Sequence, residues 1–245
     1  MLAREHDAFV AKGSQAPSLP RQPSNMATDR PDDKERFTVR LGLFGGSFDP
    51  VHYGHLLLAE CCREACRLDR VLFLPAGVPP HKRQRKLAQA EARVEMLKLA
   101  LGGDPQMDVS RYDVDREDVA YTVGTLLHFG DEYPQSELFF LMGADMLHDL
   151  PHWHQSQRVC QLAIPVVVRR AGTEEPDFGR LEGIASAERI ETIRRHQVEM
   201  PAIGISSTDI RRRVAAGHSI RYRTPRGVEE MISAQGLYTD DSDAG

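Results

Sequence analysis

Two histidines and a pair of glycines follow an apolar run in the first quarter of the chain, and they are its best candidates for chemistry. Residues 41–55 are LGLFGGSFDPVHYGH. Adjacent glycines let a backbone come close to a ligand and aim its amide groups at an anion. His52 and His55 are three residues apart, so one helical turn places them on the same side, near a helix N-terminus that favours phosphate. Such a turn also occurs in ordinary structural loops, but the conjunction of strand, glycines and histidines predicts a nucleotide-phosphate site.

The chemistry available at this site is transfer without a covalent enzyme intermediate. The run has neither the Gly-Lys-Ser/Thr of a Walker loop nor the glycine spacing of a dinucleotide fingerprint. Ser47 belongs to no base-oriented triad and the cysteines fall within a predicted helix, so no nucleophile is in place. Direct phosphoryl or nucleotidyl transfer needs alignment and charge neutralisation, which imidazoles, backbone amides, Lys82 and Arg211 can supply. A divalent ion, Mg2+ carried on a triphosphate, would complete the neutralisation.

Two motifs carry a resemblance to a known family. The run GGSFDPVHYGH, residues 45–55, resembles the His-x-Gly-His motif of the nucleotidylyltransferase superfamily, and its GGSFDP form is most similar to bacterial nicotinate-nucleotide adenylyltransferases. The run ISSTDIR, residues 205–211, is similar to a second family motif, so the resemblance covers roughly residues 38–239. It implies transfer of the adenylyl group of ATP to nicotinate mononucleotide, a step of NAD biosynthesis that yields deamido-NAD and pyrophosphate.

The resemblance also implies roles for particular residues. His52 and His55 would bind the triphosphate and stabilise the transition state, and Arg211 would hold the β- and γ-phosphates beside a helix start. These three are the implied catalytic residues. The residues implied in ATP binding are Gly45, Gly46, Ser47, Phe48, His52, His55, Asp145, Ser207, Thr208 and Arg211. Those implied in binding the acceptor nucleotide are Lys82, Thr122, Trp153 and His154.

Two of these residues have another interpretation from the sequence alone. Asp145 follows an apolar run and a glycine, a position equally suited to a helix N-cap and to holding ribose hydroxyls; the resemblance favours ribose. Trp153 is the chain's one tryptophan and on general grounds belongs more often to a core, whereas the resemblance has it stack on the pyridine ring. Backbone amides near Trp153, His154 and Thr122 would then meet the ring's carboxylate, which predicts a preference for nicotinate over nicotinamide mononucleotide.

Other functions stay open at this point. The His-x-Gly-His motif is shared by transferases that act on nicotinamide mononucleotide or phosphopantetheine and by cytidylyltransferases. The phosphopantetheine adenylyltransferases and the cytidylyltransferases usually carry threonine at the position of Ser47 and lack an element like Leu150–Trp153. A non-catalytic nucleotide sensor is the alternative from another class, and the histidines and Arg211 argue against it. The chain departs from the common family pattern at Gly124, where serine, threonine or aspartate is usual.

The elements that would position these residues alternate between strands and helices. Apolar runs predict strands at residues 37–44, 71–75, 107–110, 138–142, 164–168 and 198–205. Apolar residues at helical spacing predict helices at residues 55–68, 91–101, 121–129, 187–196, 209–216 and 225–235. Strand, helix and strand in succession imply right-handed parallel crossovers, so the predicted fold class is α/β, a Rossmann-like parallel sheet flanked by helices. The basic loop after the second strand, residues 76–82, could close over phosphates.

The chain is predicted to divide into a tail and one domain. Residues 1–36 mix Pro, Ser, Gln, Ala and charged residues without periodicity, so we expect a disordered tail. The nucleotidylyltransferase domain would cover residues 37–245. Met26 is an alternative start that the sequence leaves open. Residues 171–196 are charged and irregular, and no role is predicted for them.

Composition limits the partners and the location. The 245 residues are 41% hydrophobic, enough for a full core, and their net charge of −5 argues against a general nucleic-acid surface. No apolar run is long enough to span a bilayer and no signal peptide is evident, so we expect a cytoplasmic protein without a membrane partner; its oligomeric state stays open. The four cysteines are expected to be free thiols, with a zinc site from Cys62, Cys66 and a histidine as the less favoured alternative.

Overall fold

The computed structural model describes residues 39–77, 87–116 and 118–239. The predicted tail, residues 1–36, and Lys82 with most of its loop lie outside these ranges. The strands are β1 (Val39–Gly46), β2 (Arg70–Pro75), β3 (Met107–Val109), β4 (Ser136–Gly143), β5 (Ile164–Arg170) and β6 (Val198–Met200). They form one sheet in the order β3-β2-β1-β4-β5-β6, and every neighbouring pair is parallel. The predicted Rossmann-like parallel sheet is confirmed.

Helices cover both faces of the sheet. They are α1 (Tyr53–Ala65), α2 (Ala90–Leu101), α3 (Thr122–Glu132), α4 (Ala144–Asp149), α5 (Ser156–Leu162), α6 (Ala187–Arg195), α7 (Ser207–Ala215) and α8 (Arg226–Gln235). Alternate residues of β4 enter two separate buried clusters: Phe139 and Leu141 pack with α1, α2, α7 and α8, whereas Phe140 and Met142 pack with α3, α4, α5 and α6. A parallel sheet that is buried on both faces needs the continuous apolar strands seen in this sequence.

The strand order places a crevice at the middle of the sheet. β1 has β2 on one side and β4 on the other, so the chain runs outward to β3 and then returns through α3 to the far side of β1. Because all the strands are parallel, their carboxyl ends meet at one edge of the sheet, and ligands bind in such folds at the point where the order reverses. That point lies between the ends of β1 at Gly46 and β4 at Gly143.

Beyond shifts of a few residues at other element ends, the predicted and observed elements differ at the last strand, at the helix after it and between β4 and β5. The last strand, expected at 198–205, ends at Met200, because Pro201 has no N–H to donate to the sheet. The next helix begins at Ser207, where the Ser206 hydroxyl accepts from the Asp209 N–H at 3.1 Å. Between β4 and β5, sequence analysis predicted no helix, yet α4, a 3₁₀ turn at Leu150–His152 and α5 lie there; helices this short show too little periodicity to be recognised.

The cysteines are free thiols, as expected. Cys62, Cys66 and Cys160 are buried and Cys61 is partly exposed. Within the residues that the structure describes, no group of three or more His, Cys, Asp and Glu side chains is placed to hold a metal ion. Nor is any helix in those ranges both long enough and apolar enough to cross a membrane.

Candidate active site

The glycine-rich turn lies at the carboxyl end of β1 and leads into α1. A Cβ atom on Gly46 would come within 2.9 Å of the Phe48 ring, so the turn can close only because residue 46 has no side chain. Phe48 has a φ of 47°, a left-handed conformation that costs a residue with a side chain about 1–2 kcal/mol. Contacts from outside the turn must therefore hold it in this shape.

The two histidines stack on each other at the start of α1. Their ring centroids are 3.7 Å apart and their planes differ by 21°, which confirms that they share one side of the helix. The backbone N–H of His52 donates to Nδ1 of His55 at 3.3 Å, so a neutral His55 carries its proton on Nε2. A Cβ atom on Gly54 would come within 3.0 Å of the His52 ring, and this close packing accounts for the glycine between the histidines.

Both histidines are held in the neutral form. Burial lowers the pKa of His52 to about 4, and the Arg170 guanidinium acts in the same direction. Burial, with a smaller contribution from His52, lowers the pKa of His55 well below its usual value. A neutral imidazole has one N–H donor and no net charge. At neutral pH these rings can therefore donate to phosphoryl oxygens, but the positive charge of the site must come from other groups.

A cavity of about 720 Å³ opens beside the histidines. It lies at the carboxyl ends of β4 and β5 and between the starts of α1 and α7. Its wall combines apolar side chains with a cation and several acids: Leu58, Met200, Ile203, Ile205, Arg170, Asp145, Glu174, Glu175 and Asp177. Ligand cavities in proteins usually measure about 300–1,000 Å³, so this one, which we call the larger cavity, is of ordinary size for a nucleotide.

A second cavity, of about 340 Å³, lies at the ends of β1 and β2 and at the start of α3. Most of its wall is apolar or aromatic. Trp153, which is partly exposed, meets the Phe140 ring edge-on with centroids 5.8 Å apart, and Tyr121 lies beside His154 with centroids 4.5 Å apart. A small aromatic cavity of this kind, which we call the smaller cavity, suits a flat ring.

Comparison with known proteins decides the family. The cytidylyltransferase-like family matches residues 43–213. A probable nicotinate-nucleotide adenylyltransferase of Thermomicrobium roseum is 48% identical over 199 residues, 81% of this chain and 91% of the relative. One of Thermus thermophilus is 45% identical over 202 residues, 82% of this chain and 100% of the relative. The chain belongs to the nicotinate-nucleotide adenylyltransferase family. It is a nucleotidyltransferase.

Solved structures share its fold. The nicotinic acid mononucleotide adenylyltransferase of Plasmodium falciparum, complexed with NaAD, superposes with a TM-score of 0.64 at 15% identity, covering 82% of this chain and 97% of that chain. The same enzyme complexed with APC gives a TM-score of 0.63. At this level of identity the likeness establishes the fold and nothing finer.

The structure divides the residues implied by the family resemblance between the two cavities. Those lining the larger cavity are His52, His55 and Asp145. Those lining the smaller cavity are Gly45, Gly46, Ser47, Thr122, Trp153 and His154. The glycine-rich turn, expected in ATP binding, thus contributes its backbone to the wall of the smaller cavity and forms the boundary between the two.

The placement of Asp145 separates its two interpretations. The N-cap of α4 is Gly143, and Asp145 lies in the first turn of the helix. A Cβ atom on Gly143 would come within 2.5 Å of Oδ1 of Asp145, so the carboxylate folds back over the end of β4. The helix N-cap interpretation is wrong, and the carboxylate lines the larger cavity.

Phe48 lines neither cavity. Its side chain is fully buried, and its ring packs against the rings of Phe44, Phe73 and His55 with centroids 5.3, 5.5 and 5.1 Å away. The left-handed backbone turns the side chain into the core. The expected contact of Phe48 with ATP stays a prediction and would have to come from the backbone, because the side chain packs against the His55 ring in the core.

Arg211 also lies away from both cavities. It is 1% exposed, and it donates from Nη1 to the Asp49 carbonyl at 2.6 Å and from Nη2 to the Thr208 hydroxyl at 3.1 Å. Ser207 donates to the Pro50 carbonyl at 2.9 Å. A direct contact of Arg211 with phosphate would require it to leave these partners, so in this structure the second motif supports the turn.

Arg170 is the cation that sequence analysis missed. It ends β5, is exposed, and lines the larger cavity close enough to His52 to lower the pKa of that ring. Its side chain has no hydrogen bond or ion pair with the parts of the chain that the structure describes. The signal in the sequence was a pair of arginines directly after an apolar strand, since parallel strands deliver such residues to the ligand edge.

The segment after Arg170, to which no role was assigned, forms a wall of the larger cavity. Residues 173–177 line it, and Thr173 donates to the Arg170 carbonyl at 2.7 Å. In the smaller cavity the unexpected residue is Asp113, whose carboxylate accepts from the Thr125 hydroxyl at 2.7 Å. Burial raises the pKa of Asp113. Neither position follows an apolar run directly, so the sequence carried no signal for them.

Proposed function

We propose that this protein transfers the adenylyl group of ATP to nicotinate mononucleotide and releases deamido-NAD and pyrophosphate. The observation that carries the proposal is the pair of cavities on either side of the glycine-rich turn, in a chain of the nicotinate-nucleotide adenylyltransferase family. An oxygen of the acceptor's 5′-phosphate would attack the α-phosphorus of ATP. The bond from that phosphorus to the bridging oxygen would break, and pyrophosphate would leave with the electron pair.

ATP fits the larger cavity. The apolar wall at Leu58, Ile203 and Ile205 offers a surface for the base. The Asp145 carboxylate can accept from ribose hydroxyls. The triphosphate would lie toward the histidines, where Arg170 offers a guanidinium that no described residue pairs with.

The acceptor nucleotide fits the smaller cavity. Trp153 would stack on the pyridine ring, because a flat ring gains most from a flat aromatic neighbour. The backbone amides near Thr122 and His154 would hold its carboxylate. Lys82 remains a proposed contact, outside the described residues.

The histidines would act as transition-state donors. Each neutral ring can donate one N–H to the oxygens around the α-phosphorus, where negative charge grows as the bonds exchange. No step needs a nucleophile of the protein, because the acceptor's phosphate supplies it. Mg2+ would be carried on the triphosphate and would neutralise part of its charge, since the described residues offer no three-ligand group of their own.

One assay tests the proposal and its alternatives. The protein is incubated with ATP and Mg2+ and, separately, with nicotinate mononucleotide, nicotinamide mononucleotide and phosphopantetheine, and pyrophosphate release is measured. We expect release with the first acceptor above all. Release with phosphopantetheine alone would indicate another transferase, and ATP binding without release would indicate a nucleotide sensor. We expect the reaction to take place in the cytoplasm.

A further inference from the structure

The carbonyl groups of the glycine-rich turn are held by side chains from distant parts of the chain. Four of these carbonyls each accept a hydrogen bond. The Ser47 carbonyl accepts from Arg93 Nη1 at 2.9 Å and the Asp49 carbonyl from Arg211 Nη1 at 2.6 Å. The Pro50 carbonyl accepts from Ser207 Oγ at 2.9 Å and the Val51 carbonyl from Thr224 Oγ1 at 2.7 Å. An irregular turn has no neighbouring strand to pair with, yet its buried carbonyls still need donors. The donors come from α2, α7 and the segment before α8.

The Asp49 carboxylate is a further anchor of the same turn. It is fully buried and accepts at Oδ1 from the Tyr238 hydroxyl at 2.7 Å and from the Ala88 N–H at 3.1 Å. Nη1 of Arg211 lies 3.9 Å from its Oδ2. A buried carboxylate is stable only with such partners. Tyr238, whose hydroxyl donates this hydrogen bond, follows α8 and is 4% exposed.

These contacts flank the strained residue of the turn. Phe48, with its φ of 47°, lies between the Ser47 carbonyl and the anchored Asp49. Strain of this kind persists only where the surroundings determine the conformation. If Asp49 moved, the backbone at Gly46 and Ser47 and the ring of His52 would move with it.

We propose that Tyr238 is a positioning residue for phosphoryl-group recognition: its hydroxyl holds Asp49 and thereby keeps the glycine-rich turn and His52 aimed at the reacting phosphate. Tyr238 lines neither cavity and acts through Asp49. The proposal rests on adenylyl transfer as the function. It makes the end of the chain a working part of a site formed near its beginning, 189 residues away in sequence.

The test compares Tyr238→Phe with a matched control. Tyr238→Phe removes one hydroxyl and keeps the ring in the core, whereas Thr239→Ala removes the neighbouring hydroxyl, which donates to the Gly236 carbonyl. Pyrophosphate release is measured well below the Tm of each variant, which is determined in parallel. We expect kcat of Tyr238→Phe to fall at least about tenfold, with little change in the KM for ATP, because a hydrogen bond to a charged group is lost. Thr239→Ala should match the wild type.

A second variant and a second measurement keep the test independent of the substrate. Thr224→Val removes the donor to the Val51 carbonyl at nearly constant shape and should lower kcat in the same way. Amide hydrogen exchange of a peptide spanning residues 44–52 should be faster in both variants and unchanged in Thr239→Ala. Wild-type kcat with unaltered exchange in Tyr238→Phe overturns the proposal, as does a loss confined to Tm. A wild-type protein that releases no pyrophosphate refutes the proposed function instead, while the exchange result still decides the role of Tyr238.

Discussion

Acid should destabilise this protein through His52. The pKa of the ring is lowered from 6.5 to about 4 in the folded state. The unfolded chain therefore takes up the proton first as the pH falls, so the contribution to stability is complete above about pH 6.5 and is lost toward pH 4. At about 1.4 kcal/mol per pH unit the whole difference corresponds to about 3 kcal/mol. About 2 kcal/mol of this should already be lost between pH 7.5 and pH 5.

The assay is urea denaturation at these two pH values, on the wild type and on His52→Asn. The variant lacks the titrating ring, so its free energy of unfolding should fall about 2 kcal/mol less on acidification. The exposed residue His218 provides a control, because His218→Asn should lose as much stability as the wild type does. Equal losses in wild type and His52→Asn would refute the neutral buried ring and, with it, the role of His52 as an uncharged donor.

Four further results are expected. His55→Ala should lower kcat about 10²–10³-fold, the cost of one transition-state donor. It should also lower the Tm, because the ring packs on Phe48. A variant with near-full kcat would refute the role of His55 as a transition-state donor. Arg170→Ala should raise the KM for ATP. Arg211→Ala should chiefly lower the stability, on the order of 3–5 kcal/mol for a broken buried pair. A raised KM for ATP in Arg211→Ala, with a lowered Tm in Arg170→Ala instead, would restore Arg211 as the phosphate ligand. Nicotinate mononucleotide should exceed nicotinamide mononucleotide by on the order of 10²-fold in kcat/KM, and Trp153→Ala should raise the acceptor's KM; comparable efficiencies would reject the carboxylate-binding amides. Deletion of residues 1–36 should leave kcat unchanged, and lost activity would show that the tail belongs to the site.

The sequence by itself determined the fold class and the position of the glycine-rich turn. Apolar strands alternating with amphipathic helices are a local pattern, and a parallel sheet buried on both faces is the arrangement that satisfies it. The spacing of Gly46, His52 and His55 is local as well, so it places all three on one strand-turn-helix unit, although side chains from distant segments hold the turn in its shape. The family resemblance also named Asp145 and Trp153 as ligand contacts, and each lines one of the two cavities, since both follow β4 within ten residues.

Tertiary structure decided the charge, burial and partners of these groups. That Phe48 is core, that Arg211 supports the turn and that Arg170 faces the larger cavity depends on contacts between segments far apart in sequence, such as the 162 residues that separate Arg211 from Asp49. The lowered pKa values of the histidines are likewise effects of burial, which is a property of the folded chain. The spacing of a motif shows which residue types are present. Which of them a ligand can reach is determined by packing, because exposure and long-range hydrogen bonds arise only when distant elements meet.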